Sequence, residues 1–66
     1  MEVFEKLKEL RKQKGLSQVE MAKVLNITQS TYNRYEKGLV EMNYISLIKV
    51  ADFFNISLDE LFDRKI

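Results

Sequence analysis

Residues that begin and end helices recur at short intervals along this sequence, and they divide it into short segments. The 66-residue chain contains no proline and two glycines, and its apolar residues do not alternate as they would in a half-buried strand. We therefore predict an all-α fold. Two smaller domains would each need disulfides, a metal or a partner to be stable, so the length favours one domain over residues 1–66.

The capping signals predict five helices. Ser17 and Glu20 form a capping box that starts a helix, and Ser57 and Glu60 form another. The sequence Leu-Asn-Ile-Thr at 25–28 is echoed by Phe-Asn-Ile-Ser at 54–57, and each predicts a helix end, a turn and a new cap. The predicted helices are one over about 2–14, a second from Ser17 to Asn26, a third from Thr28 to about Glu36, a fourth from Asn43 to Phe54, and a short fifth from Ser57.

The composition excludes several classes of function. The chain has no cysteine and no histidine, which removes disulfides, thiolate nucleophiles, Cys/His metal sites and imidazole catalysis. No apolar run reaches the roughly 18 residues of a membrane span, and the N-terminus is acidic where a signal peptide would be basic. We expect a cytoplasmic protein that has no membrane partner and, with one small domain only, no cofactor and no small-molecule ligand.

Charge is distributed unevenly along the chain. Residues 1–38 contain eight Lys or Arg and five Asp or Glu, whereas residues 39–66 contain three and five. This polarity permits an anionic partner at the N-terminal part of the chain, although it does not require one.

The second and third helices are separated by residues 26–28 only. Two short helices joined in this way cross steeply, as in a helix-turn-helix, although short antiparallel hairpins have similar turns. Helical spacing groups five polar residues of the third helix in one arc without a carboxylate, here called the polar arc: Gln29, Ser30, Asn33, Arg34 and Lys37. Amide, hydroxyl and guanidinium groups suit base edges and phosphates, so the polar arc favours DNA binding over a solvated face that lacks acids by chance.

The stretch from Gly15-Leu16-Ser17-Gln18 to Tyr35-Glu36-Lys37-Gly38 resembles the Cro/repressor-type helix-turn-helix family, also called the XRE family. The matching elements are Gln18, Ala22, the Asn26-Ile27 turn, Tyr32 and Glu36-x-Gly38, and the likeness continues over residues 47–62. The resemblance implies a five-helix, lambda-repressor-like domain with its helix-turn-helix at about 17–37. The loop after the third helix departs from the family, because Leu39, Val40 and Glu41 stand where basic residues are frequent.

The resemblance also implies which residues contact DNA. The implied base-reading positions are Gln29, Ser30, Arg34 and Thr31. The implied phosphate-binding positions are Ser17, Gln18, Thr28, Asn33 and Lys37, with Gln18 also supporting the third helix. In addition, Arg11 is expected to pair with Glu36 and to hold the third helix against the body, although two independent surface charges would be the simpler interpretation.

The fourth helix carries more apolar residues than one buried stripe explains. Helical spacing predicts an inward stripe of Tyr44, Leu47, Val50, Ala51 and Phe54. Ile45 and Phe53 then face away from it, and Leu58, Phe62 and Ile66 add apolar area near the C-terminus. We expect these five residues to form a homodimer interface, with a tail that caps the core as the alternative.

We therefore interpret the chain as a sequence-specific transcriptional regulator that binds double-stranded DNA and is not an enzyme. A repressor that binds a pseudo-palindromic operator as a homodimer is the leading form of this hypothesis. The alternative is a protein-interaction module such as an antitoxin or a co-regulator. Carboxylates cluster near the fifth helix, but they are typical of caps and solvated charges, and no base or nucleophile accompanies them.

Overall fold

The computed structural model describes residues 2–63, which form five α-helices and no strand. The helices are α1 Val3–Gln13, α2 Gln18–Leu25, α3 Gln29–Glu36, α4 Tyr44–Phe54 and α5 Leu58–Leu61. Helix α2 packs against α3 and α4, and α1 packs against α3 and α5. Within this described part, no helix is both long and apolar enough to cross a membrane. The predicted all-α, five-helix class is confirmed.

The helix boundaries follow local hydrogen bonds. The Ser17 hydroxyl accepts from the Glu20 amide at 3.1 Å, while the Glu20 carboxylate accepts from the Ser17 amide at 2.9 Å. Asn26 adopts the left-handed backbone with φ 57° and ψ 46°, and Thr28 then caps α3. These predicted caps are confirmed, and α1 is one residue shorter at each end than predicted because Glu2 and Lys14 are its caps.

Gly38 follows the last residue of α3 by two positions and lies against α1. Its φ of +71° is a conformation that residues with a side chain rarely adopt. A Cβ atom at this position would also lie 2.9 Å from two carbon atoms of the Phe4 ring. Gly38 therefore allows the chain to leave α3 in close contact with the first turn of α1.

The core is built from side chains of all five helices. Its fully buried side chains are Leu7, Met21, Leu25, Tyr32, Val50 and Leu61. Half-buried Leu10, Ile27 and Leu47 pack around this cluster. Each of the five helices supplies at least one fully buried residue, so α3 is held by the same core as the rest of the chain.

The predicted inward stripe of α4 is wrong at its first residue. Tyr44 is 70% exposed, whereas Ser46 is 4% exposed and takes the inward position. Val50 and Ala51 are buried as predicted, and they follow Ser46 by four and five residues. The first turn of α4 thus presents a small residue to the core, and the larger Tyr44 ring is left on the surface.

Candidate nucleic-acid interface

Four of the five residues of the polar arc are exposed. Gln29, Ser30, Arg34 and Lys37 all lie on the surface, and Asn33 is half-buried between them. The single carboxylate of α3, Glu36, is buried on the opposite side with Tyr32 and Tyr35. Helix α3 therefore presents donors, amides and cations outward without a carboxylate of its own.

An ion pair between Arg11 and Glu36 joins α1 to α3. Arg11 Nε donates to Glu36 Oε2 at 2.7 Å, and Arg11 Nη2 donates to Glu36 Oε1 at 3.3 Å. Arg11 Nη1 also donates to the Leu16 carbonyl oxygen at 2.8 Å. The side chains of Arg11 and Glu36 are only 13% and 3% exposed. The pair is thus a bidentate, largely buried contact and not two independent surface charges.

Glu36 accepts from two further residues. The Tyr32 hydroxyl donates to Glu36 Oε2, and Gln18 Nε2 donates to Glu36 Oε1 at 3.2 Å. Burial opposes the charged form of Glu36, but the hydrogen bonds from Arg11, Tyr32 and Gln18 outweigh it and lower the pKa of this carboxyl group. The hydrogen bond with Glu36 raises the pKa of Arg11, and burial raises the pKa of Tyr32. Glu36 is therefore ionised at neutral pH.

Gln18 links α2 to α3 through both ends of its amide. Its Nε2 donates to Glu36, and its Oε1 accepts from Asn33 Nδ2 at 3.2 Å. Asn33, a predicted phosphate-binding residue, thus donates to a side chain of α2. The support of α3 by Gln18 is visible in these bonds, whereas the phosphate contacts of Gln18 and Asn33 stay predictions.

Two of the expected phosphate contacts are already engaged within the chain. The Ser17 amide donates to the Glu20 carboxylate at 2.9 Å. The Thr28 hydroxyl accepts from the Thr31 amide and donates to Thr31 Oγ1 at 3.0 Å. The caps therefore engage the Ser17 amide and the Thr28 hydroxyl, and the phosphate contacts of both residues stay predictions.

The exposed apolar residues are only partly those predicted from the sequence. Ile45 is 63% exposed, as expected for an interface residue, but Phe53, Leu58 and Phe62 are half-buried within the chain. The expectation that Phe53 faces away from the core is wrong. Its ring packs against the core and edge-on to Phe54, with centroids 5.0 Å apart, and Lys14 Nζ lies 4.8 Å above it. Ile66 lies outside the described residues.

Besides Val19 on α2, three exposed apolar residues were missed by the sequence analysis. Leu39, Val40 and Tyr44 lie close to Ile45 in the chain, and together the four are here called the 39–45 patch. The absence of basic residues in the loop was a signal for Leu39 and Val40. Tyr44 could not be found in this way, because its exposure depends on the rotation of α4.

Comparison with known proteins agrees with this arrangement. A family model described as "Helix-turn-helix" matches residues 7–61. The chain is 46% identical over 57 residues to the HTH-type transcriptional regulator YqaE of Bacillus subtilis, covering 86% of this chain and 49% of that protein. It is 36% identical over 64 residues to the transcriptional repressor RstR of the cryptic phage CTXphi in Vibrio cholerae, covering 97% and 57%. The chain spans about half the length of these relatives.

Two solved structures share the fold. A transcriptional regulator from Listeria innocua superposes with a TM-score of 0.92 and 31% identity, over 98% of this chain and 61% of that chain. The P22 c2 repressor, solved in complex with a synthetic operator, gives a TM-score of 0.87 and 18% identity, with 98% of both chains covered. This structural similarity shows that the chain has the lambda-repressor-like fold. The chain belongs to the helix-turn-helix family, in its Cro/repressor-type (XRE) group, a family of DNA-binding transcriptional regulators.

Proposed function

We propose that this chain binds double-stranded DNA in a sequence-specific manner and regulates transcription in the cytoplasm. One observation carries the proposal: α3 exposes a polar arc without a carboxylate, while its own carboxylate is buried and paired with Arg11. A side that is free of acids can approach phosphates and base edges without repulsion, and amides and guanidinium groups discriminate bases in the major groove. The proposal assigns the chain a binding role and no reaction.

The base-reading role is tested with Gln29→Ala and Arg34→Ala. Preferred duplexes are first selected from a random pool at a stated salt concentration, and affinities are then measured for these and for unrelated duplexes. Each variant is expected to lose about 1–3 kcal/mol of discrimination at its own base pair and to keep its thermal stability. Lys49→Ala removes an exposed charge from α4 and should leave specificity unchanged. Unchanged specificity in both α3 variants would overturn the proposal.

We further propose that two copies bind a pseudo-palindromic site as a homodimer. The 39–45 patch supports this, because four exposed large apolar side chains within seven residues favour association. Two recognition helices about 34 Å apart would then read successive major grooves. Sedimentation of Ile45→Glu should show a monomer, while Lys12→Glu, a charge change at an exposed position of α1 away from the 39–45 patch, should keep the dimer. If the unmodified chain binds its selected duplex as a monomer, the homodimer proposal is wrong.

A repressor is the form of regulation we favour. The relative RstR is a repressor, whereas BcrR of Enterococcus faecalis, 36% identical over 61 residues, is an activator. Occupation of a promoter by a small domain blocks polymerase without further contacts, which is the simpler mechanism. A reporter with the selected site inside its promoter should be transcribed less when the chain is expressed. Increased transcription would favour activation instead.

The 39–45 patch also supports a second candidate, a protein-interaction module such as an antitoxin or a co-regulator. In that case Gln29→Ala and Arg34→Ala would leave DNA binding unchanged, while Ile45→Glu would abolish binding of a protein partner. The same variants therefore separate the two functions.

A further inference from the structure

The hydrogen bonds around Gln18 fix the direction of its amide. Glu36 is held as a carboxylate by Arg11 Nε at 2.7 Å, and a carboxylate accepts hydrogen bonds but does not donate them. The group of Gln18 that faces Glu36, at 3.2 Å, must therefore be the amino group. The carbonyl oxygen of Gln18 is then turned toward Asn33.

The same reasoning fixes the amide of Asn33. Gln18 Oε1 can only accept, so the amino group of Asn33 faces it at 3.2 Å. Asn33 Oδ1 is left as an acceptor. Among residues 2–63 it has no hydrogen-bond partner, and it is not a buried unsatisfied atom, so it is open to solvent.

Asn33 lies within the polar arc, one helical turn from exposed Gln29 and one from exposed Lys37. A phosphate diester has acceptor oxygens only, so an outward Asn33 Oδ1 has nothing to accept from it. The donors that the major groove offers are the amino groups of adenine N6 and cytosine N4. The outward oxygen therefore suits a base edge and not the DNA backbone.

We propose that Asn33, oriented by Gln18 and Glu36, accepts a hydrogen bond from the exocyclic amino group of a base in the major groove. It selects adenine or cytosine over thymine or guanine at one position of one strand. This contact uses Oδ1 and differs from the phosphate contact expected from the sequence, for which only the second N–H of Nδ2 is left. The inference rests on the proposed function, because it assigns a reading position to the same surface.

The test compares complete base-substitution series on the selected duplex for the unmodified chain, Asn33→Ala and Gln18→Ala. Asn33→Ala should reduce the preference for adenine or cytosine at one position by about two- to tenfold, the value of one hydrogen bond, and keep the other preferences. Gln18→Ala should relax the same position, because the Asn33 amide is then free to turn. The control Lys37→Ala should weaken binding to all sequences alike.

A second measurement needs no DNA. In the free protein, the side-chain amide resonances of Asn33 should shift in Gln18→Ala and stay unchanged in Lys49→Ala, an exposed position on α4. Unchanged Asn33 resonances in Gln18→Ala would overturn the inference even if DNA binding holds. A uniform loss of affinity in Asn33→Ala, or relaxation of different positions by the two variants, would also overturn it. Failure to select any preferred duplex would instead overturn the proposed function, and the inference with it.

Discussion

The two sides of α3 differ sharply although they belong to one eight-residue helix. Tyr32, Tyr35 and Glu36 form the inner side, which is buried, whereas the polar arc forms the outer side, which is largely exposed. The inner side holds the carboxylate of the helix in a bidentate pair with Arg11. The comparison shows that the helix uses its acid for attachment and keeps it away from the surface proposed to meet DNA.

Removing the ion pair on the inner side of α3 should have the largest effect on stability. Arg11→Ala leaves a carboxylate that is 3% exposed without its cation, and this should lower the free energy of unfolding by about 3 kcal/mol. Urea unfolding checks the value. Lys12→Ala, at an exposed position of the same helix, should change stability by less than about 0.5 kcal/mol. A double-mutant cycle with Glu36→Ala that gives near-zero coupling would contradict the attachment role.

Acidification should weaken the inner side of α3. The pKa of Glu36 lies below its ordinary value of 4.5, so its stabilising effect is complete above about pH 4.5 and is lost as the pH falls through the lowered pKa. The thermal midpoint should therefore fall in acid, and it should fall less in Glu36→Gln. The chain has no histidine, so stability should vary little between about pH 5 and 8. An equal acid dependence in both proteins would assign the effect to other carboxyl groups, such as Glu20, whose pKa is also lowered, by hydrogen bonds with Ser17.

Changes on the outer side should leave the fold intact. Lys37→Ala removes an exposed cation and should keep the thermal midpoint within error, since no described contact of the core involves it. Affinity should fall alike for preferred and unrelated duplexes, and the slope of log affinity against log salt should decrease by about 1. A loss confined to one base pair would show that Lys37 reads a base and does not contact phosphate.

The helix boundaries were predictable because capping is local. The turn at 25–28 and the turn at 54–57 have the same geometry: Asn26 and Asn55 have φ 57° and 55°, and the following isoleucine amides each donate to an alanine carbonyl at 2.9 Å. Four adjacent residues are enough to predict each turn. The helices after the two turns were less predictable, since the first turn leads to an eight-residue helix with an exposed side and the second to the four-residue α5.

The misplaced residues all depend on contacts between distant segments. Tyr44 is exposed and Phe53 half-buried because α4 is rotated to present Ser46 to the core, and nothing in the spacing of α4 alone specifies that rotation. The hydrogen bond from Asn33 to Gln18 could not be predicted for a similar reason. Gln18 lies 15 residues away, and a wheel of α3 does not show which of its polar residues α2 will engage.

The sequence by itself determined the all-α class, the helix ends, and a third helix with amides and cations on one side, because these depend on backbone hydrogen bonds and periodicity within a few residues. The tertiary structure alone decided that Arg11, Gln18, Tyr32 and Asn33 converge on or next to one buried carboxylate. Such a cluster forms only when three helices pack together, since burial strengthens each bond to Glu36 and requires that every polar group find a partner.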